Sequence, residues 1–304
     1  MSNYSIVVHG GAGPDSDFIK EHVSEYEAGL KAALEAGNKM LENGGSAVDA
    51  VEAAIISLED NYLFNAGRGS SLNHRGEPEM DASIMEGKEL MSGAVSMLKN
   101  VRNPIKLSRF IMEKTSYVFL SDSGALEMAK DEDLDLEPES YFVTDHQMKE
   151  FLEARNKDEL QDILQKRIHG TVGAVALDKN GNLAAATSTG GTNNAHAGRI
   201  GDSCVIGAGC YANNSVCAIS GTGDGEHLIN NVVAHTIAMY MELTKCSLSE
   251  ACDLVIHQRL KDVDGDIGVI GVDPQGNVCM TFNSDRMHRA AMVNGEIREI
   301  RVYK

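Results

Sequence analysis

Hydrophobic positions along the chain fall into two rhythms. "YSIVVHGGAG" near the start is a short β-branched run stopped by glycines, the pattern of a strand entering a turn. "EYEAGLKAALEAGNKMLENGG" is Ala/Leu/Glu-rich and closes on Gly44 and Gly45, and "SAVDAVEAAIISLED" opens on Ser46 as an N-cap, so two helices are expected. "EMDASIMEG" and "GAVSMLKN" read as short strands. From Asp131 to Arg167 the texture turns charge-dense, which predicts a solvated helix and a loose surface connection ending near His169.

Beyond that segment strands come thickly: "TVGAVALD", "NLAAATS", "CVIGAGCYA" and "SVCAIS", each bounded by Gly, Asn, Asp or Ser. "DPQGN" at 273–277 separates "IGVIGV" from "VCMTF" as a hairpin turn. "EHLINNVVAHTIAMYMELTK" and "LSEACDLVIHQRLKD" have helical length and period. Strands and helices come in blocks instead of alternating singly. That order predicts two sheets packed face to face under outer helices, a four-layer αββα sandwich in the α/β class, in preference to a doubly wound sheet.

Composition narrows the function classes. The 304 residues are 42% hydrophobic and 24% charged, ordinary for a globular chain, and carry a formal net charge of −18. Such an acidic surface repels phosphate backbones and anionic leaflets, so no nucleic-acid or membrane partner is expected. Neither a signal-peptide pattern nor a long apolar run occurs, which makes a cytoplasmic location the default. The six cysteines lack C-x-x-C spacing and read as small buried hydrophobes.

Candidate chemistry gathers between residues 167 and 226. "HGGAG" is neither a dinucleotide nor a Walker fingerprint. Arg199 and Asp202 in "GRIGD" are the combination a zwitterion requires, a guanidinium for its carboxylate and a carboxylate for its ammonium. "SGTGDGE" (220–226) leads into a helix, and its turn of backbone N–H groups with a Thr hydroxyl could form an oxyanion hole. Thr171 follows Gly170 where the chain changes character, and a hydroxyl needs a base to become a nucleophile. His9 and His169 are possible bases, though more naturally structural. The alternative is the α-amine that Thr171 would carry if the chain were cut before it, whose ordinary pKa of about 7.7–8.0 suits proton transfer near neutrality.

"HGTVGAVALDKNGNLAAATSTGG", "GRIGDSCVIGAGCYANN" and "SGTGDGE", with "VVHGGAG", "GGSAVDAVEAAI" and "LFNAGRGSSLNHRGEPEMDASIMEG", closely resemble the plant-type L-asparaginase and isoaspartyl peptidase family of N-terminal nucleophile (Ntn) hydrolases. The resemblance spans nearly the whole chain. It implies a single Ntn-hydrolase domain over 1–304 that cuts itself between Gly170 and Thr171 into an α fragment (1–170) and a β fragment (171–304). It implies Thr171 as nucleophile, oriented by Thr189; Thr222 and the Gly223 N–H at the oxyanion; and Asn65 as a brace. Arg199 would hold the substrate α-carboxylate, and Asp202 with the Gly225 carbonyl its α-ammonium. L-asparagine and β-aspartyl dipeptides would be substrates, and two αβ units would form a homodimer. No cofactor is implied for the chemistry. A structural sodium ion is implied on backbone carbonyls of the loop from Leu58 to Arg68, with Leu58, Glu59 and Phe64 as ligands.

Two positions depart from the family's pattern. Cys204 stands where Pro usually follows "GDS", and Asp224 falls within "SGTGDGE" where "TTGHGE" or "TTGNGE" is common, which is expected to add negative charge near the ammonium site. Aspartylglucosaminidases, which typically read "HDT" and "STNG", are the nearest alternative. Taspase-type endopeptidases are more distant, and a non-catalytic amino-acid binder on the same fold is the alternative from another class.

Overall fold

The computed structural model describes residues 3–156 and 170–304. The described strands are β1 (Ser5–Gly13), β2 (Met80–Glu86), β3 (Ser92–Leu98), β4 (Phe119–Ser121), β5 (Val172–Leu177), β6 (Leu183–Thr189), β7 (Cys210–Asn213), β8 (Cys217–Gly223), β9 (Ile267–Val272), β10 (Val278–Phe282), β11 (Arg286–Val293) and β12 (Glu296–Tyr303). They build an eight-stranded sheet in the order β12-β11-β1-β5-β6-β2-β3-β4 and a four-stranded sheet in the order β10-β9-β8-β7. The helices are α1 (Asp17–Glu21), α2 (Val23–Glu42), α3 (Ala47–Glu59), α4 (Pro104–Lys114), α5 (Asp122–Asp131), α6 (Glu139–Phe142), α7 (Asp145–Asn156), α8 (Gly225–Asn231), α9 (Val233–Thr244) and α10 (Leu248–Asp253), the last running on as a π-helical turn, Leu254–Arg259.

Strand alternation sorts the core into the expected layers. On β5, Val172, Ala174 and Ala176 face α2 and α3, while Val175 and Leu177 face the second sheet. Ala218 of β8 meets them there, and its neighbours Cys217 and Ile219 turn outward to α9 and α10. The αββα sandwich is therefore observed, although the sheets are not divided between the halves of the chain. β1 lies between β11 and β5, and β2 pairs with β6, so both halves are woven into the large sheet.

Several local expectations hold. Ser46 caps α3 in a full capping box with Asp49. Asp273 Oδ1 accepts the N–H groups of Gln275 and Asn277, each at 2.9 Å, and Gly276 takes φ +83° in the hairpin between β9 and β10. The stretch read as one helix after "SGTGDGE" is instead two, broken at Val232, which adopts the left-handed conformation at φ +47°. The break lets α9 begin on new acceptors, with Ala234 N bonded to Ala208 O and His235 N to Gly207 O. The acidic segment is also more docked than expected. Phe142 is fully buried, Phe151 nearly so, and the His146 ring stacks 3.6 Å from Phe18. The remainder of that connection, including His169, lies outside the described residues.

Candidate active site

The layer between the sheets changes character along its length. On strand faces that carry Val7, Val175 and Ala218 at one end, the same alternation delivers His9, Thr171, Gly173, Thr187, Thr189, Ser220 and Thr222 at the other. Thr171 stands one residue before β5. Because Val172 pairs with Ser188, Thr171 falls beside Thr189 across the ladder. Its hydroxyl donates to Thr189 Oγ1 at 3.3 Å, and Thr189 Oγ1 donates to the Gly170 carbonyl at 2.9 Å.

A second donor reaches the same oxygen. Asn65 Nδ2 gives one hydrogen to Gly170 O at 2.8 Å and the other to Gly191 O at 2.7 Å, while its Oδ1 accepts from Ser71 N at 2.7 Å. Those three bonds fix which end of the amide is nitrogen. A Cβ on residue 170 would stand 2.8 Å from Asn65 Cβ, so only glycine admits this approach. The carbonyl before Thr171 is thus held by two donors, with the Thr171 hydroxyl one hydrogen bond away.

His9 does not touch that hydroxyl. Its Nδ1 donates to the Thr171 carbonyl at 3.0 Å, and complete burial pushes its pKa down to about 3, so the ring is neutral. With the proton on Nδ1, Nε2 must accept from Ser220 Oγ, 3.0 Å away, and the one Thr187 hydroxyl proton is shared between Ser220 Oγ at 2.7 Å and Gly209 O at 2.9 Å. A Cβ on Gly173 would collide with both His9 Nε2 and Ser220 Oγ, so glycine keeps this chain of bonds intact. His9 therefore holds the backbone of Thr171 and not its hydroxyl.

The other expected residues surround this centre. Thr222 Oγ1 accepts from Ala12 N at 3.2 Å; a Cβ on the adjacent Gly11 would stand 3.4 Å from Thr171 N. Gly223 sits at φ +123°, and any side chain there would drive into the Asp266 carbonyl. Arg199 and Asp202 meet at Gly225, whose Cβ would stand 3.0 Å from Arg199 Nη2 and 2.9 Å from Asp202 Oδ1. Asp202 is buried, its Oδ2 has no partner among the described residues, and burial pushes its pKa up to about 7.

Three features here were not read from sequence. The Arg199 fork is already engaged by Glu226, through Nε to Oε1 at 2.9 Å and Nη2 to Oε2 at 2.8 Å. Asp81, paired in register with Thr189, accepts from Met97 N and Gly201 N, and burial pushes it up to about 6. Asp224, expected to add negative charge near the ammonium site, accepts from Asp266 N through Oδ2 at 2.8 Å, which ties the entrance of α8 to β9. Cys204 packs fully buried in a short 3-10 turn, where desolvation raises its thiol pKa.

The loop after α3 winds tightly. Leu58 O accepts from Asn61 N, Glu59 O from Arg68 N and Phe64 O from Ala66 N, and a Cβ on Gly69 would crowd the carbonyls of both Phe64 and Tyr62. Carbonyl oxygens are the hard ligands that a monovalent cation takes, so the chemistry of this turn's donor set suits one. Its Glu59 side chain does separate work: burial pushes it up to about 8, and Oε1 accepts from Ser188 Oγ at 2.7 Å, bracing β6 from the helix side.

Residues 2–302 match the family described as Asparaginase. The chain is 44% identical to the isoaspartyl peptidase/L-asparaginase of Xenopus laevis over 293 residues, covering 96% of this chain and 93% of that one. It is 44% identical to the Homo sapiens protein of the same name, covering 97% and 95%, and 40% identical to the isoaspartyl peptidase of Salmonella typhimurium over the full length of both. A match of this extent, on a αββα sandwich with a Gly-Thr peptide at the polar end of its inter-sheet layer, establishes that the chain belongs to the asparaginase family.

Proposed function

We propose that the chain is an autocleaving amidohydrolase acting on L-asparagine and β-aspartyl dipeptides, with Thr171 as nucleophile. The observation that carries the reading is the Gly170 carbonyl, gripped by Asn65 Nδ2 and Thr189 Oγ1 beside the Thr171 hydroxyl. Attack by Thr171 Oγ on the Gly170 carbon places negative charge on that oxygen, where both donors stabilise it. The hydroxyl proton leaves through Thr189 and the Thr171 nitrogen departs protonated, giving an ester. Water then releases a Gly170 carboxylate and a free Thr171 α-amine.

In the hydrolytic cycle that amine takes the Oγ proton, Oγ attacks the substrate's side-chain carbonyl, and the proton passes to the leaving nitrogen. Ammonia or an amino acid departs, and water resolves the aspartyl ester to L-aspartate. Thr222 Oγ and the Gly223 N–H receive the second oxyanion. Arg199 holds the α-carboxylate once Glu226 swings aside, and Asp202 with the Gly225 carbonyl holds the ammonium. A sodium ion on the carbonyls of Leu58, Glu59 and Phe64 would fasten the loop that carries Asn65. The names of the relatives, isoaspartyl peptidase and L-asparaginase, support the substrate choice.

Denaturing electrophoresis with intact mass measurement tests this directly. Two fragments are expected, the second beginning at Thr171, together with release of ammonia from asparagine; Thr171→Ala stays whole and inactive. A wild-type chain that remains intact and hydrolyses neither substrate overturns the reading.

A further inference from the structure

A cavity of about 50 Å³ opens beside Gly170, with Asn65, Tyr26, His288 and Arg286 on its wall. Thr171, Arg199, Asp202 and Thr222 are not among the residues lining it. Arg286 opens β11 and is only 4% exposed; among the described residues its side chain makes one hydrogen bond, from Nε to Pro14 O at 3.0 Å, while Asp15 and Asp266 act on it through space without forming an ion pair. A largely buried guanidinium whose terminal nitrogens meet no acceptor among the described residues and border a cavity is placed to receive an anion from it.

The rest of the wall is consistent with an anionic, nitrogen-bearing ligand. Two carboxylates line the cavity, and both are engaged. Asp15 bonds Ser16 N and the Tyr303 hydroxyl and lies 3.5 Å from Lys20, and Glu150 lies 3.3 Å from His146. His288 donates from Nδ1 to Gly10 O, which leaves Nε2 as a bare acceptor, and Gln147 Oε1 is a second acceptor; neither has a partner among the described residues.

We propose that this cavity is the subsite for the leaving residue of a β-aspartyl dipeptide, with Arg286 binding that residue's C-terminal carboxylate. The inference rests on the function proposed above and deepens it. The leaving nitrogen must receive its proton from the Thr171 α-amine, so it stands within hydrogen-bond reach of Thr171 N. In the uncleaved chain that nitrogen is bonded to Gly170, and Gly170 lines the cavity. A dipeptide therefore presents two carboxylates to two arginines, the aspartyl one to Arg199 and the C-terminal one to Arg286. The acceptors His288 Nε2 and Gln147 Oε1 are available to the ammonium of the departing amino acid.

The test compares β-aspartyl-glycine with its C-terminal carboxamide, using asparagine as reference. For the wild type, kcat/KM for the acid exceeds that for the carboxamide by about tenfold or more, chiefly through KM, as expected for one charge-assisted contact. In Arg286→Met the acid-to-carboxamide ratio falls towards one, and the dipeptide-to-asparagine ratio falls about tenfold; Arg286→Lys recovers part of both. Equal wild-type rates on acid and carboxamide overturn the subsite and leave the proposed activity standing; hydrolysis of asparagine alone overturns the subsite together with the dipeptide half of that activity. Absence of hydrolysis on all three compounds overturns both. If Arg286→Met fails to fold, the wild-type comparison decides alone.

Discussion

The two ends of the inter-sheet layer are made by the same strands and obey different physics. At one end Val7, Val175, Leu177, Leu183, Ala218 and Ile270 are held by burial alone. At the other, His9, Thr171, Thr187, Thr189, Ser220 and Asn65 are equally buried, but each polar group is matched to a particular donor or acceptor. The apolar end tolerates change in proportion to the volume removed. The polar end depends on direction, since one reversed hydrogen bond would unsettle its neighbours.

The largest expected effect breaks the polar end only. Thr189→Val removes a donor from the Gly170 carbonyl and the acceptor for Thr171, and should slow self-cleavage by about 10²–10³-fold, the usual range for one oxyanion donor. A gel time course after expression checks this, and the variant's Tm should stay near wild type. Val175→Ala does the converse: about 2 kcal/mol of stability is lost, read by urea unfolding of the processed protein, with little change in cleavage.

Smaller effects sharpen the contrast by probing charge. Asp202 is pushed up to about 7 by burial, and only its ionised form attracts an ammonium group. KM for asparagine should therefore rise as pH falls below about 7, approaching about tenfold per unit, with kcat less affected. An acid limb displaced to the ordinary carboxylate range would refute that account. Glu226→Gln should have the mildest effect. The exposed carboxylate competes for the Arg199 fork, and removing it should lower KM by about fivefold at most, because exposed ion pairs are worth about 0–1 kcal/mol.

Much of this was legible before any coordinates. The apolar runs in "TVGAVALD" and "NLAAATS" specified the strands, and the resemblance implied the partnership of Thr171 and Thr189 that the strand register then produces. Other features depend on distant pairing that leaves no local trace. Asn65 reaches Gly170 across 105 positions, and Arg286 is distinctive through the partner it lacks. "RMHRAAMV" and "EIREIRVY" escaped notice as strands because charges interrupt their apolar rhythm; only Val302 among the β12 residues is fully buried. The break at Val232 is imposed by tertiary acceptors on the loop from Gly207 to Ala208, which no helix propensity encodes.

The weave of the large sheet has a mechanical consequence. β1 is zipped on one edge to β11 and on the other to β5, while β2 is zipped to β6, so residues before and after position 170 share three antiparallel seams. Severing the Gly170–Thr171 bond leaves every seam intact. The two pieces behave as interlaced fingers: dilution cannot part them, and only unravelling the sheet can. A nicked molecule should therefore migrate in size-exclusion chromatography as the uncut one does, and the two fragments should melt together in a single transition.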